Sequence, residues 1–202
     1  RTDHAVTVAQ PLSGPGGFVK RGAGSTLRFV TAREVSPGGA VTNDADRAET
    51  LCTTGLNAIE AGTVELAAKA AAAGVRIAVG AAGALDLQGT AHQVTVSGAG
   101  TVRNGTLGHG ARLLVDVASG SPLTLEGVTL NGAAVDVGET AFAKPYPVGV
   151  RVAKLGAGST FRRLKFKGVD ADGHAVSGRF AVDADGFVVM DIGAADGTLL
   201  IV

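Results

Sequence analysis

From residue 75 onward the chain is written as short alternating apolar runs cut by glycine. The runs are Val75-Arg76-Ile77-Ala78-Val79, Leu85-Asp86-Leu87, Val94-Thr95-Val96, Leu113 to Val117 and Leu123 to Leu130. A period of two sends successive side chains to opposite faces of a strand. The interruptions carry turn chemistry: Gly80 to Gly83, Ser97-Gly98-Ala99-Gly100, Asn104-Gly105, Ser119-Gly120-Ser121-Pro122 and Asn131-Gly132. Glycine and asparagine supply the positive φ that tight turns demand. Runs recurring at roughly ten-residue spacing are the signature of an all-β chain, whether sandwich, barrel or solenoid.

Composition agrees. Thirty-one glycines in 202 residues, with 4% aromatics and no tryptophan, describe many tight turns and small, repetitive packing units. Hydrophobic residues at 46% are enough for a core that needs neither disulfide nor metal. Eighteen basic residues balance eighteen acidic ones, so no global field draws nucleic acid, anionic lipid or an acidic polymer. No run of apolar residues is long enough for a membrane-spanning helix. The chain begins at Arg1. We read this as the start of a processed or excised piece of a longer precursor, which leaves export open although no signal peptide is seen.

Two stretches carry helical propensity. Val64 to Ala73 is built from strong helix formers and is followed by Gly74, a natural stop, yet ten residues is short for a helix without tertiary support. Asn43 to Leu51 is the second, with Asn43 or Asp44 placed to cap it.

Three units follow one another in order: Gly62-Thr63-Val64-Glu65-Leu66, then Gly83-Ala84-Leu85-Asp86-Leu87-Gln88-Gly89, then Ser97-Gly98-Ala99-Gly100-Thr101-Val102-Arg103-Asn104-Gly105. Upstream, Leu12 to Leu27 contains Gly14-Pro15-Gly16-Gly17-Phe18-Val19-Lys20-Arg21-Gly22-Ala23-Gly24-Ser25-Thr26-Leu27. This series resembles the autotransporter-associated β-strand repeat over residues 12–30 and 53–108. The resemblance implies a parallel β-helix or β-solenoid in a secreted or surface-exposed bacterial protein, each unit forming one rung, and it turns Val64 to Ala73 towards strand and turn. Residues 31–52 match no repeat, and no outer-membrane barrel follows the repeats.

From about Pro145 the texture changes. Val148 to Val152, Thr160 to Phe166, Arg179 to Val182, Phe187 to Ile192 and Thr198 to Val202 are separated by longer loops and read as antiparallel hairpins. Pro145-Tyr146-Pro147 marks a boundary, because paired prolines hold the chain extended. The expected organisation is a Gly-rich repeat region over 1–144 and an antiparallel region over 145–202, acting as a cap or small sandwich. A β-sandwich or jelly roll is the alternative for the whole. Gly-Ala-Gly-Ser-Thr occurs at Gly22–Thr26 and again at Gly156–Thr160, each after a lysine, the mark of a duplicated unit or of coincidence in a Gly-rich chain.

Few residues suggest chemistry. The sharpest pair is Asp170-Ala171-Asp172-Gly173 and Asp183-Ala184-Asp185-Gly186. If a hairpin brought them together, Asp170, Asp172, Asp183 and Asp185 would offer calcium four carboxylates, whereas each alone is ordinary turn chemistry. His4, His92, His109 and His174 have no ligand partners in sequence and read as solvated loop residues. Ser13, Ser25, Ser97, Ser119, Ser121 and Ser159 lie in Gly-rich turns without a nucleophile elbow. Gly14-Pro15-Gly16-Gly17 and Gly22-Ala23-Gly24 lack the residues that complete a phosphate loop or a dinucleotide fingerprint. Arg162, Arg163, Lys165 and Lys167 alternate with Leu164 and Phe166, the pattern of a solvated or edge-protecting strand face. Cys52 is the single cysteine and reads as a small buried apolar residue.

The expected function is therefore non-enzymatic: a secreted or cell-surface structural protein, adhesin-like or filament-forming. No cofactor and no nucleic acid enter this reading. Its partners are further copies of itself, joined through the terminal strands Ala5-Val6-Thr7-Val8 and Leu199-Leu200-Ile201-Val202, and a surface glycan. A carbohydrate-binding module or a polysaccharide-acting β-helix enzyme is the alternative.

Overall fold

Aliphatic residues alternating with small or polar ones bury one side chain in two, so the chain satisfies its backbone by pairing strands and its apolar side chains by stacking them. In the computed structural model, residues 4–31, 34–35, 41–42, 49–117, 122–138 and 141–195 are described, and none of them is helical. The N-terminal strands are β1 (Ala5–Val8), β2 (Leu12–Gly14), β3 (Val19–Lys20) and β4 (Thr26–Phe29), followed by the short β5 (Glu34–Val35) and β6 (Val41–Thr42). The central ones are β7 (Leu51–Thr53), β8 (Leu56–Leu66), β9 (Arg76–His92), β10 (Thr95–Gly98), β11 (Thr101–Leu107), β12 (Arg112–Leu114) and β13 (Leu123–Asp136). Then come β14 (Ala141–Phe142), β15 (Val150–Leu155), β16 (Thr160–Lys165), β17 (Lys167–Asp170), β18 (Ala175–Val182) and β19 (Phe187–Ala194).

Pairing is parallel through the body of the main sheet. β9, β10, β12, β13 and β11 close a hydrogen-bonded ring of five parallel strands, and the remaining strands lie outside it. The registers stack like on like. Val6, Leu27, Val64, Leu85, Val102, Leu125 and Leu155 are successive partners across β1, β4, β8, β9, β11, β13 and β15. Asn57, Ile77, Val96, Leu113 and Val135 form a second column, and His92, Leu107, Leu130 and Phe161 a third. At about 4.8 Å per strand the first column runs roughly 29 Å.

Corners between columns need unusual backbone. Gly98 (φ +105°) ends β10 so close to β9 that a Cβ there would sit 2.2 Å from the carbonyl oxygen of Val79. Asn104 (φ +54°) lies opposite Gly127 (φ +62°), where left-handed backbone lets β11 and β13 bend at the same level. Gly-Ala-Gly-Ser-Thr folds into the same turn twice, with the amide of Ser25 donating to Gly22 and that of Ser159 to Gly156.

The expectations meet the structure unevenly. Val64 to Ala73 is not a helix: β8 carries Val64 to Leu66 into the core, and the chain then turns at Lys69 (φ +57°). Asn43 to Asp46 and the rest of that stretch up to 48 lie outside the described residues, as do Thr198 to Val202. Apart from the short antiparallel pair β5–β6, the change to antiparallel pairing does not fall cleanly at Pro145. β15 and β16 still run parallel to β13, and the hairpins proper are β17–β18 and β18–β19, with β19 laid antiparallel on β15.

Leu85 sits in the middle of the first column with none of its surface exposed. Leu85→Ala should cost about 2–5 kcal/mol in denaturant unfolding, because rigid neighbours above and below cannot collapse into the hole. Gly98→Ala should cost more than about 1 kcal/mol through backbone strain, with no cavity made. An unchanged midpoint for Gly98→Ala would show that the β9–β10 corner opens freely.

Candidate functional site

The two Asp-Ala-Asp-Gly segments are one turn built twice. In each, the first aspartate starts a turn closed by a left-handed glycine, Gly173 (φ +82°) or Gly186 (φ +81°), and its carboxylate accepts two backbone amides. Asp170 Oδ1 accepts from Asp172 N at 3.0 Å and His174 N at 2.7 Å; Asp183 Oδ1 accepts from Asp185 N at 3.0 Å and Phe187 N at 2.8 Å. The turns do not meet. β18 connects them, and eight extended residues hold them about 25 Å apart, so the four carboxylates cannot share an ion.

Of the two turn-starting aspartates, Asp170 is the one that gathers further side-chain partners among the described residues. It is buried; its Oδ2 accepts from the Tyr146 hydroxyl at 2.9 Å and lies 3.5 Å from Lys144 Nζ, and His174 Nδ1 is 3.4 Å from its Oδ1. Burial pushes the Asp170 carboxyl up, but the amides of His174 and Asp172 and the Tyr146 hydroxyl outweigh it and hold the pKa down at about 2. Lys144 is raised by Tyr146 first and Asp170 second, and Tyr146 is raised by burial and by Asp170. One oxygen or nitrogen each from Asp170, Asp172 and His174 lies within 4.8 Å of the others, a set of metal-ligand type. Lys144 Nζ, 3.6 Å from Asp172, already supplies the positive charge there. The arrangement ties the β17–β18 turn to the segment before β15.

A second constellation had no signature in the sequence. Lys20, 8% exposed, donates to Ser25 Oγ at 2.7 Å and to the carbonyls of Arg21 (3.1 Å), Gly22 (3.1 Å) and Ala61 (3.2 Å). A serine beside a lysine invites a nucleophile and base reading. The geometry opposes it: Lys20 donates to Ser25 Oγ, whose hydroxyl in turn donates to Gly22 O at 2.8 Å, so although burial lowers the Lys20 pKa, its ammonium is held as a donor and not poised as a base. A Cβ on Gly62 would come within 2.6 Å of Nζ, leaving no room for a substrate. Lys20 is a clamp between β3 and the corner of β8.

The other candidates are equally committed. His92, expected in a solvated loop, is buried at 4% exposure and hydrogen-bonded to Thr90 Oγ1 at 2.8 Å; burial lowers its pKa, against the backbone of Leu66 and Leu87. His4, His109 and His174 are exposed. Asp86 is buried and accepts from Arg103 Nε (2.8 Å), Asn104 Nδ2 (3.0 Å) and the amide of Gln88 (2.9 Å). Ser159 bridges to β13 by donating to Leu125 O and accepting from Val128 N. Ser119 and Ser121 lie outside the described residues. Arg162, Arg163, Lys165 and Lys167 are exposed, while Phe161 packs on Phe180 and Phe166 on Phe142. Cys52 is half-buried with Sγ 3.0 Å from Glu49 O, and burial raises its pKa. A cleft of about 190 Å³ lies beside Leu113, Val115, Leu123 and Val152, and a wider, open one of about 610 Å³ beside Arg76, Thr95, Arg112 and Asp136.

No protein-family model, curated protein or solved structure matches the chain.

Two pH effects follow. His92 has a folded pKa below its usual 6.5, so the unfolded chain takes up that proton first and stability falls as pH drops below about 6.5. In His92→Gln that loss between pH 7 and 5 should vanish from unfolding curves. Asp170 works lower: its stabilisation is present above the usual 3.8 and is lost as pH falls towards about 2. Asp170→Asn should flatten the acid limb below pH 4, and an unchanged limb would remove Asp170 from its cause.

Proposed function

We propose that this protein is a non-enzymatic structural scaffold of an exported bacterial surface, a parallel β-solenoid of the autotransporter-associated repeat type closed by antiparallel strands. The observation that carries the reading is the set of in-register columns. The chain visits the first column at Val6, Leu27, Val64, Leu85, Val102, Leu125 and Leu155, passing the third and then the second column between visits from Leu85 on, as successive coils do. The ring of five strands then arises because β9 and β13 each run round a corner and pair on two faces. Residues 32–48, within the stretch that matches no repeat, fall between the second and third visits, where an insertion leaves the coil intact.

The non-enzymatic part rests on how the titratable groups are used. Lys20, Asp86, His92 and Asp170 are all buried, and each is held by contacts that order a corner or a turn. The secreted or surface setting, and an adhesin-like role towards a glycan, follow from the resemblance, and the low cysteine content suits them.

The test is a screen of the purified chain against neutral and acidic polysaccharides for released reducing ends, beside a depletion assay on insoluble polysaccharides. No release is the expected result; release that survives purification would replace the scaffold with a β-helix enzyme. Retention on one polysaccharide would identify the surface contacted.

A further inference from the structure

The two ends of the strand stack are finished differently. At the C-terminal end β19 covers the outer edge of β15, pairing Val150 with Met190 and Lys154 with Phe187, and β16 carries exposed Arg162, Arg163 and Lys165 along its edge. Both are standard guards against strand addition. Among the described residues, the outermost strands at the N-terminal end are β1, β2 and β3. Thr26 N donates to His4 O and Val30 N to Val8 O, so the even-numbered residues of β1 face β4, and Ala5 and Thr7 turn their amides and carbonyls outward. By the same alternation Leu12 and Gly14 face β7 and Phe18 faces β8, leaving Ser13 and Val19 outward. None of these outward residues is charged. The apolar columns run to this end: Val6 tops the first at 57% exposure, and Leu12, partnered with the buried Leu51, is 39% exposed.

We propose that this edge is a self-association surface occupied by a second copy of the chain, with the two β1 strands antiparallel about a two-fold axis. The inference rests on the stacked-coil reading and adds which end associates and in which register. A head-to-tail partner would have to offer the guarded end. A two-fold partner offers an equally uncharged edge, and such an isologous contact closes at two copies. The hydrogen bonding fixes the register. Outward residues must form the hydrogen-bonded pairs, and the register that engages both of them in each copy pairs Ala5 with Thr7 of the second copy and Thr7 with its Ala5, which centres the axis on Val6. Val6 then meets its own copy as a non-hydrogen-bonded pair at a Cα separation of about 4.5 Å, continuing the aliphatic column across the interface.

Light scattering and sedimentation across micromolar concentrations should give twice the 19.9 kDa chain mass and nothing larger. Val6→Lys should shift the protein to monomer with an unchanged circular dichroism spectrum, and its thermal midpoint should lose the rise with protein concentration that the dimer shows. In a Cys52→Ser background, Val6→Cys should form an interchain disulfide under mild oxidation, since about 4.5 Å lies within disulfide reach, and Thr7→Cys should not. A monomer at all concentrations, or a ladder of larger species, overturns the two-fold dimer. Linkage through Thr7→Cys instead of Val6→Cys overturns the register. Should Val6→Lys lose its fold, the cysteine pair decides. Solution mass makes no reference to polysaccharide, so failure here leaves the scaffold reading to its own assay.

Discussion

Everything in this molecule depends on parallel strands stacking in register, because that geometry places each side chain directly over its counterpart one strand away. For aliphatic residues the constraint is favourable: Val64, Leu85, Val102 and Leu125 all lose their entire surface to neighbours of the same kind. For charges it is a hazard. The column beside the aliphatic one reads Thr7, Arg28, Glu65, Asp86, Arg103 and Glu126, which sets two carboxylates opposite each other. Like charges in that position repel. The outer neighbours resolve it, since Arg28 binds Glu65 and Arg103 binds Asp86, so each acid turns away from the other towards a guanidinium.

The same economy governs the buried polar groups. Asn57 occupies the end of an otherwise aliphatic column with no exposed surface, and all of its amide is used: Oδ1 accepts from Phe18 N and Thr53 Oγ1, and Nδ2 donates to Arg76 O. Among the described residues, no buried side-chain nitrogen or oxygen lacks a partner. An unpaired buried group costs about 1–3 kcal/mol, so such groups persist where they tie one strand level to the next. Asn57 joins the residue before β3 to β7 and β9 in this way, and Lys20 joins β3 to β8.

How much of this was legible depends on how far alternation can be followed. Within a strand it works: Val75 to Val79, Val94 to Val96 and Leu123 to Leu130 fall in or against strands with the aliphatic residues inward. It fails at corners. Between Asp86 and Thr90 the chain rounds a corner through left-handed Gln88 and Gly89, as β11 does through Asn104, so inward and outward parity is reset where no pattern announces it. His92 lies just past that reset, which is why a residue read as solvated is buried. Lys20 was hidden for a different reason, since its acceptors are backbone carbonyls, and Ala61 O is forty-one residues away. The alanine run shows tertiary context overriding propensity: Ala70 is fully buried beside Leu51, and its carbonyl accepts from Thr50 and Leu51, a place a helix could not reach. The aspartate turns were legible in full, because their chemistry is local.

A parallel stack has a problem that a closed antiparallel barrel does not, because its first and last strands always leave backbone groups without a ladder partner. Here the last level is treated with antiparallel cover and cations, and β18 and β19 are long enough to cover β15 because the two Asp-Ala-Asp-Gly turns fold the chain back on itself. The aspartates that most resemble a metal site are therefore part of what ends the stack. At the first level the cation that would have guarded the edge, Lys20, is turned inward and held by four oxygens. A charge directed into the structure leaves an uncharged edge outside, so among the described residues the two ends of the stack protect their open backbone groups differently.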